Sequence, residues 1–376
     1  MRRARVLVAP VTVTPTKPLT LSHLKALLWQ DVLVRATAQV ADVTVRYSQT
    51  SFHLTAQTLG FWEYLDRVHG DTDYDAVSED DIGERYMCYQ AEPRRVTYAR
   101  LRPYAEAVES TGWTHPVSDR LLRLWVGQYA RFGLHDPGLL RVRLPGMPLE
   151  QLVDLLSGYG LCLDTRRHGG PVYLDATARG LPLRPIIAAD GQPNYLACAL
   201  RDLLPLVDSH DTVVLGHDLE LQADYQLLTA VLERLGVGTH RIGVGRVPVD
   251  GVVRSARHGD WRGRTASAVV DACAVVDACA DAPDPAAVRL GLRLYFIATL
   301  GAGQQQSFRP ELLSHAVRRA GSLLADARRV EEHDLQEFLC GQRGRRPYVD
   351  PYRLTSSLLS RHRAVPVCDL IERVLT

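Results

Sequence analysis

Residues 13–36 read "VTPTKPLTLSHLKALLWQDVLVRA". Ahead of them, residues 5–11, "RVLVAPV", form a β-rich run of the length of a buried parallel strand. Inside the quoted stretch a Pro- and Thr-rich turn leads into Leu21, Leu24, Leu28, Val32 and Ala36, spaced as one apolar stripe of a helix. Residues 40–48, "VADVTVRYS", then alternate like a second strand. Strand, helix and strand in that order imply a right-handed crossover and a parallel sheet. The helix opens where the first strand ends, the place in an α/β sheet where its free N–H groups and dipole favour a nucleotide phosphate.

Working outward, residues 50–150 read as mostly helical and irregular, with main helices in "DDIGERYMCYQ" (80–90) and "VSDRLLRLWVGQYARFGL" (117–134). The sheet pattern returns in "PVYLDAT" (171–177), "PLRPIIAADG" (182–191) and "TVVLGHD" (212–218), and "THRIGVGRV" (239–247) reads as the last strand. Between the last two, Leu219, Leu228, Val231, Leu232 and Leu235 mark a helix. A later Ala/Val-rich helix carries a perfect duplication, "VVDACAVVDACA" (269–280); six residues is not a helical period, so it reads as local drift. "DAPDPAA" (281–287) is the clearest linker, and the chain beyond it reads as helical. The expectation is an α/β protein: a Rossmann-like, five-stranded parallel sheet in residues 1–280, split by a helical insertion near 50–150, with a small helical domain over 285–376.

Composition narrows the function. Of 376 residues, 44 are Lys or Arg and 43 Asp or Glu, so no global field draws in nucleic acid. The dense basic run "GQRGRR" (341–346) reads as a solvated loop. The seven cysteines make no Cys-x-x-Cys pair and no zinc-type cluster, and read as small buried residues in a reducing compartment. No apolar run is long enough to cross a bilayer, and "MRRARVLVAPV" is a core strand in preference to a signal peptide, so a cytoplasmic protein is expected.

The opening turn resembles the first signature of class I aminoacyl-tRNA synthetases, and specifically of arginyl-tRNA synthetases. Their Asn-Pro-Thr-Gly-Pro-Leu-His-Ile-Gly-His-Leu-Arg stands here as Thr14-Pro15-Thr16-Lys17-Pro18-Leu19-Thr20-Leu21-Ser22-His23-Leu24-Lys25, followed by Asp31-Val32-Leu33-Val34-Arg35 for Asp-x-Leu-x-Arg. "DDIGERYMCY" is similar to the family's Ile-Gly-Glu-x-Tyr helix, and "ADGQPNYLACALRD" (189–202) to its Asp-Gly-Thr-Pro-x-Tyr-Leu segment. "DGVVRSARHGDWRG" (250–263) sits where the mobile Lys-Met-Ser-Lys signature belongs. The resemblance implies the class I synthetase nucleotide-binding fold, with ATP and Mg2+ used to activate an amino acid. It implies His23 and Thr20 at the ATP phosphates with Ser255 and Arg257 from the second signature. It also puts Thr16, Ser22, Lys25, Gly216, Arg254 and His258 on the ATP side, and Thr14, Tyr195, Ala199 and Gln222 on the amino-acid side. His23 and Ser255 should face one cleft.

The departures redirect the function. Thr20 and Ser22 replace a His and a Gly of the first signature, and Val253 and Ala256 stand where the second has lysines, among Arg254, Arg257, His258 and Arg262. Thr14 and Ala199 replace an Asn and an Asp that the family uses to hold arginine, and "YSQTSFHL" (47–54) lacks the Asp-Trp-Gly-x-Gln motif. An unpaired guanidinium in such a pocket is costly, so an acid with an uncharged side chain is expected, unless Asp202, or Glu220 and Asp224, supply the carboxylate. The amino-terminal tRNA-elbow domain and a full anticodon-binding bundle are not seen in the sequence, although residues 287–320 resemble the bundle's beginning. The expected activity is therefore ATP-dependent formation of an acyl adenylate and transfer to a small-molecule amine to form an amide, without tRNA, with no membrane partner and no protein-held metal. A divergent tRNA-charging enzyme and a non-catalytic paralogue that binds a nucleotide or a protein are the alternatives.

Overall fold

The computed structural model describes residues 3–93, 96–253, 261–276, 284–326, 332–360 and 370–376. The chain runs β1 (Arg5–Ala9), α1 (Leu21–Ala38), β2 (Asp42–Val45), then five helices: α2 (Gln49–His53), α3 (Ala56–His69), α4 (Glu79–Ala91), α5 (Tyr98–Thr111) and α6 (Pro116–Phe132). After them come α7 (Leu149–Gly158), three short strands β3 (Cys162–Asp164), β4 (Val172–Leu174) and β5 (Arg184–Ile187), and α8 (Tyr195–Leu203). The sheet resumes with β6 (Thr212–Asp218), α9 (Gln222–Arg234) and β7 (Gly238–Val244), and helices α10 (Ala266–Val276), α11 (Pro285–Arg293), α12 (Pro310–Ala325), α13 (Glu332–Arg343) and α14 (Pro351–Leu359) follow.

β1 lies in the middle of a parallel sheet ordered β2-β1-β6-β7, with Val6 paired to Val43 on one side and to Thr212 on the other. Val6, Leu7 and Val8 are completely buried, as the apolar run requires when both faces are covered. The chain leaves β1 in opposite directions, to β2 and to β6, so a crevice opens at the carboxyl ends of these strands.

Two expectations about the sheet are corrected. The parallel sheet has four strands among the described residues, not five. The stretches read as its returning strands, 171–177 and 182–191, supply β4 and β5 of a separate antiparallel sheet, β3-β4-β5. Their connections, 165–171 and 175–183, are hairpin-sized and contain single 3-10 turns closed by Gly169 and Gly180 at φ 72° and 73°. Parallel neighbours would need a longer crossover.

Helix α1 is not a one-striped amphipathic helix: residues 24–33 are buried without a break. One face packs on the sheet and the other on the carboxy-terminal helices. Arg293, fully buried at the end of α11, places Nη2 2.6 Å from Asp31 Oδ2 and 2.7 Å from the Gly133 carbonyl. Trp29 Nε1 donates to the Phe296 carbonyl at 3.4 Å, and Thr37 Oγ1 accepts from the Val349 amide at 3.1 Å. The Asp31 of the Asp-x-Leu-x-Arg stretch is thus spent on joining α1 to the last helices.

The linker expectation also changes. Residues 281–283 lie outside the described residues, but Asp284 caps α11, accepting from the Ala286 amide at 3.0 Å, with Pro285 as the first helical residue. Most of the duplication's second copy is likewise outside them. In "GQRGRR", α13 continues to Arg343, and Arg346 pairs with Asp350 and covers the Tyr348 ring. Among the described cysteines only Cys198 is buried; Cys88 and Cys340 are exposed. No helix among the described residues is long and apolar enough to cross a membrane.

Candidate active site

A cleft of about 380 Å3 opens beyond the carboxyl ends of β1, β6 and β7. Its floor is the turn between β1 and α1. The Thr16 amide folds back on the Thr14 carbonyl at 2.8 Å, and the turn is held from behind by the insertion helices. Ser118 Oγ of α6 donates to the Pro15 carbonyl at 2.8 Å, and the Leu19 amide donates to Glu79 Oε1 of α4 at 2.9 Å.

At the turn's end Thr20 caps α1. Its Oγ1 accepts from the His23 amide at 3.4 Å, while its own amide donates to His23 Nδ1 at 3.1 Å, a reciprocal capping box with histidine as the returning side chain. Because Nδ1 accepts, the neutral ring carries its proton on Nε2. Burial, with the nearby cations Lys17 and Arg246, pulls His23 down to about 3, so this neutral donor persists through physiological pH. Ser22 Oγ accepts from the Val247 amide at 3.0 Å and ties the helix start to the chain after β7.

Cations and carboxylates line the cleft together. Lys17 comes from the turn, its Nζ 5.1 Å from the centre of the Tyr86 ring. Arg246 follows β7 and meets Asp218, the last residue of β6, through Nε at 3.0 Å, and Glu220 through Nη2 at 2.5 Å. Arg264 pairs with Asp250 at 2.8 Å. Trp261, though almost entirely buried, also contributes to the lining.

The Ile-Gly-Glu stretch on α4 has a clear physical task. A Cβ at Gly83 would run into the Trp261 ring and come within 2.8 Å of Pro18 Cδ, so only glycine lets α4 seat both. Its neighbour Glu84 pairs with Arg262. Residues 17–18, 83–86 and 261–262, remote in sequence, therefore meet beside the cleft.

Tyr195 joins the lining from the edge of an aromatic cluster. Tyr195, first residue of α8, stacks on Phe52 at 4.8 Å and bonds Tyr225 Oη at 2.7 Å; Tyr225 in turn stacks on His217 at 4.6 Å. Burial raises the Tyr195 phenol to about 12, against hydrogen bonds from Tyr225 and Thr12.

Of the residues singled out in the sequence, Thr14, Thr20, Ser22, His23, Tyr195 and Glu220 line this one cleft. Arg254, Ser255, Arg257 and His258 lie outside the described residues, so the pairing of His23 with Ser255 is not tested; Val252 and Trp261, on either side of them, line the cleft. Five placements are corrected. Thr16 is fully buried beneath the turn, its hydroxyl with no partner. Lys25 is buried and off the lining, donating to the Gly303 carbonyl at 2.5 Å, and burial lowers it to about 8. Gly216 is a packing glycine, since a Cβ there would collide with the Gln30 amide. Ala199, one turn along α8 from Tyr195, is buried and off the lining, and Gln222 is exposed at the start of α9. Nor do Asp202 and Asp224 reach the cleft: Asp202 holds Arg46 and Ser51 at 2.8 and 2.7 Å, and Asp224 holds Arg184 at 2.9 Å.

Lys17, Asp218, Arg246 and Arg264 were not singled out from the sequence. Asp218 ends one parallel strand and Arg246 follows another, so the rule that ligands bind at carboxyl ends could have marked those two.

No family model and no curated protein matches the sequence. Among solved structures, the Thermus thermophilus arginyl-tRNA synthetase superposes on the whole of this chain and 74% of its own, with a TM-score of 0.63 at 18% identity. The fold is that of an arginyl-tRNA synthetase. The Plasmodium falciparum arginyl-tRNA synthetase agrees over 86% of this chain, with a TM-score of 0.54 at 11% identity, and the match spans 57% of that synthetase. The identities are low enough that only architecture carries over.

Proposed function

We propose that this protein activates an amino acid or related carboxylic acid with ATP and passes the acyl group to a small-molecule amine, without tRNA. The observation that carries the reading is His23. It presents a neutral Nε2 donor at the first turn of an 18-residue helix, beside Lys17, in the crevice of a parallel sheet. That set suits a triphosphate: helix N–H groups and Lys17 take the charge, and His23 donates a hydrogen bond that needs no protonation change.

In the proposed reaction a substrate carboxylate oxygen attacks the α-phosphorus, the bond to the bridging oxygen breaks, and pyrophosphate leaves. An amine then attacks the acyl carbon of the adenylate, AMP departs, and the amine's proton goes to solvent. Tyr195 and Gln57 supply polar groups on the acyl side. In this reading Mg2+ arrives on the triphosphate.

Near-equal numbers of basic and acidic residues, 44 and 43, support the omission of tRNA. The alternative of nucleotide binding without chemistry draws on one observation: Thr20, with its shorter side chain, stands where the resembled signature has its first histidine, and its hydroxyl oxygen also serves as the helix-cap acceptor. ATP–pyrophosphate exchange screened over amino acids separates the two, because exchange requires adenylate formation but no acceptor. Exchange with any acid supports activation; tight ATP binding with no exchange across the panel sinks it.

A further inference from the structure

Among the described residues lining the cleft, the two carboxylates are Asp218 and Glu220, and both are engaged by the same side chain, Arg246. The arrangement is built, not incidental. Asp218 Oδ1 accepts from the Glu220 amide at 3.1 Å, which leaves Oδ2 for Arg246 Nε at 3.0 Å. The backbone on either side of Arg246 is pinned as well. The Gly245 amide donates to the Ala302 carbonyl at 2.7 Å, and the Val247 amide to Ser22 Oγ at 3.0 Å. A Cβ at Gly245 would come within 3.0 Å of Gln304 and Gly303, so glycine is what allows this close approach. The guanidinium is therefore placed before any ligand arrives.

A cationic substrate side chain entering this cleft would look for those two carboxylates. We propose that Arg246 is a resident guanidinium that occupies their charge, making it the specificity-determining residue that turns the cleft from cationic substrates toward acids with uncharged side chains. The inference rests on the activation reading for its substrate language, but the occupied site itself does not. Displacing Arg246 would leave one guanidinium unpaired for each one gained, so an incoming cation gains no net ion pair. Removing the Arg246 head group should open a vacancy that fits a guanidinium and not its neutral isostere.

The test titrates methylguanidinium and methylurea into wild type and Arg246→Ala, followed calorimetrically, without ATP. Arg246→Met, which keeps the apolar stem, replaces Arg246→Ala if circular dichroism shows that the latter is unfolded. Methylguanidinium should bind the variant about tenfold or more tighter than wild type, methylurea should show no such gain, and adding Glu220→Gln should abolish it. Equal methylguanidinium affinity for wild type and variant, or an equal gain for methylurea, overturns the proposal. In exchange assays wild type should prefer citrulline to arginine, and Arg246→Ala should reverse or erase that preference; wild-type preference for arginine overturns it too. Absence of exchange with every acid defeats the activation reading, and the methylguanidinium arm still decides the role of Arg246.

Discussion

Thr20 and His23 hold each other across the first turn of α1, each side chain bonded to the other's amide, at 3.4 and 3.1 Å. The pair links helix start to ligand chemistry, because the cap that stabilises the helix also fixes which ring nitrogen faces the cleft. His23→Ala should lose both, costing about 1 kcal/mol of stability through the cap and about 100-fold in exchange rate through the missing donor. His23→Gln restores a donor with poorer placement and should fall between. Exchange kinetics and urea unfolding on the same samples check this; unchanged exchange in His23→Ala would remove His23 from the proposed chemistry.

The two lysines near the turn should separate cleanly. Lys17 lines the cleft, whereas Lys25 is buried against the Gly303 carbonyl. Lys17→Met is expected to weaken ATP binding by about tenfold, and Lys25→Met to leave it within about twofold. Equilibrium ATP titration of both variants decides. An ATP loss confined to Lys25→Met would reverse the assignment.

Stability should decline in mild acid because two histidines, His53 in the core and the half-buried His23, are held neutral. His53 is completely buried with both ring nitrogens unpartnered, and burial holds it at about 3; His23 is lowered to about 3 as well. Their folded pKa values lie below the unfolded value of 6.5, so the unfolded chain takes up protons first. Stability is full above that value and is lost progressively as pH falls from 6.5 toward 3, by up to about 1.4 kcal/mol per pH unit for each ring. Urea midpoints at pH 7.5, 6 and 5 should fall in that order, and a His53→Phe variant should show a shallower slope.

Breaking the Asp31–Arg293 pair from one side should be severe. Asp31→Ala leaves a fully buried guanidinium with only carbonyl partners and is expected to cost about 3–5 kcal/mol. Adding Arg293→Met removes the stranded charge and should recover part of that loss. Thermal unfolding of the single and double variants measures it; a double variant as unstable as the single would place the cost elsewhere.

Gly83→Ala should push on two neighbours at once, the Trp261 ring and Pro18. The expected cost is about 1–3 kcal/mol, with a shift in tryptophan emission and weaker ATP binding as the turn beside Lys17 moves. Emission spectra and ATP titration test it, and wild-type behaviour in both would mean that α4 and Trp261 do not support the turn.

The strand, turn and helix of residues 5–38 and the place of β1 in a parallel sheet were legible in the sequence. Those features are local: a β-rich run, an N-cap and an uninterrupted helical stretch act over a few residues. Thr14, Thr20, Ser22, His23 and Tyr195, which line the cleft, were singled out through the resemblance to synthetase signatures, which are short runs of sequence at or next to a turn. What tertiary structure alone decided is depth and partnership. Lys25, Thr16 and Gly216 belong to the same quoted stretches, yet each is taken up by packing: Lys25 against the Gly303 carbonyl, Gly216 against Gln30 of α1, and Thr16 inside the turn. Residues 171–191 carry strand-forming side chains wherever they go; the shortness of their connections sent them to a separate sheet. Arg246, Asp218 and Glu220 became one cluster only when β6 and β7 paired in register and set their carboxyl ends side by side.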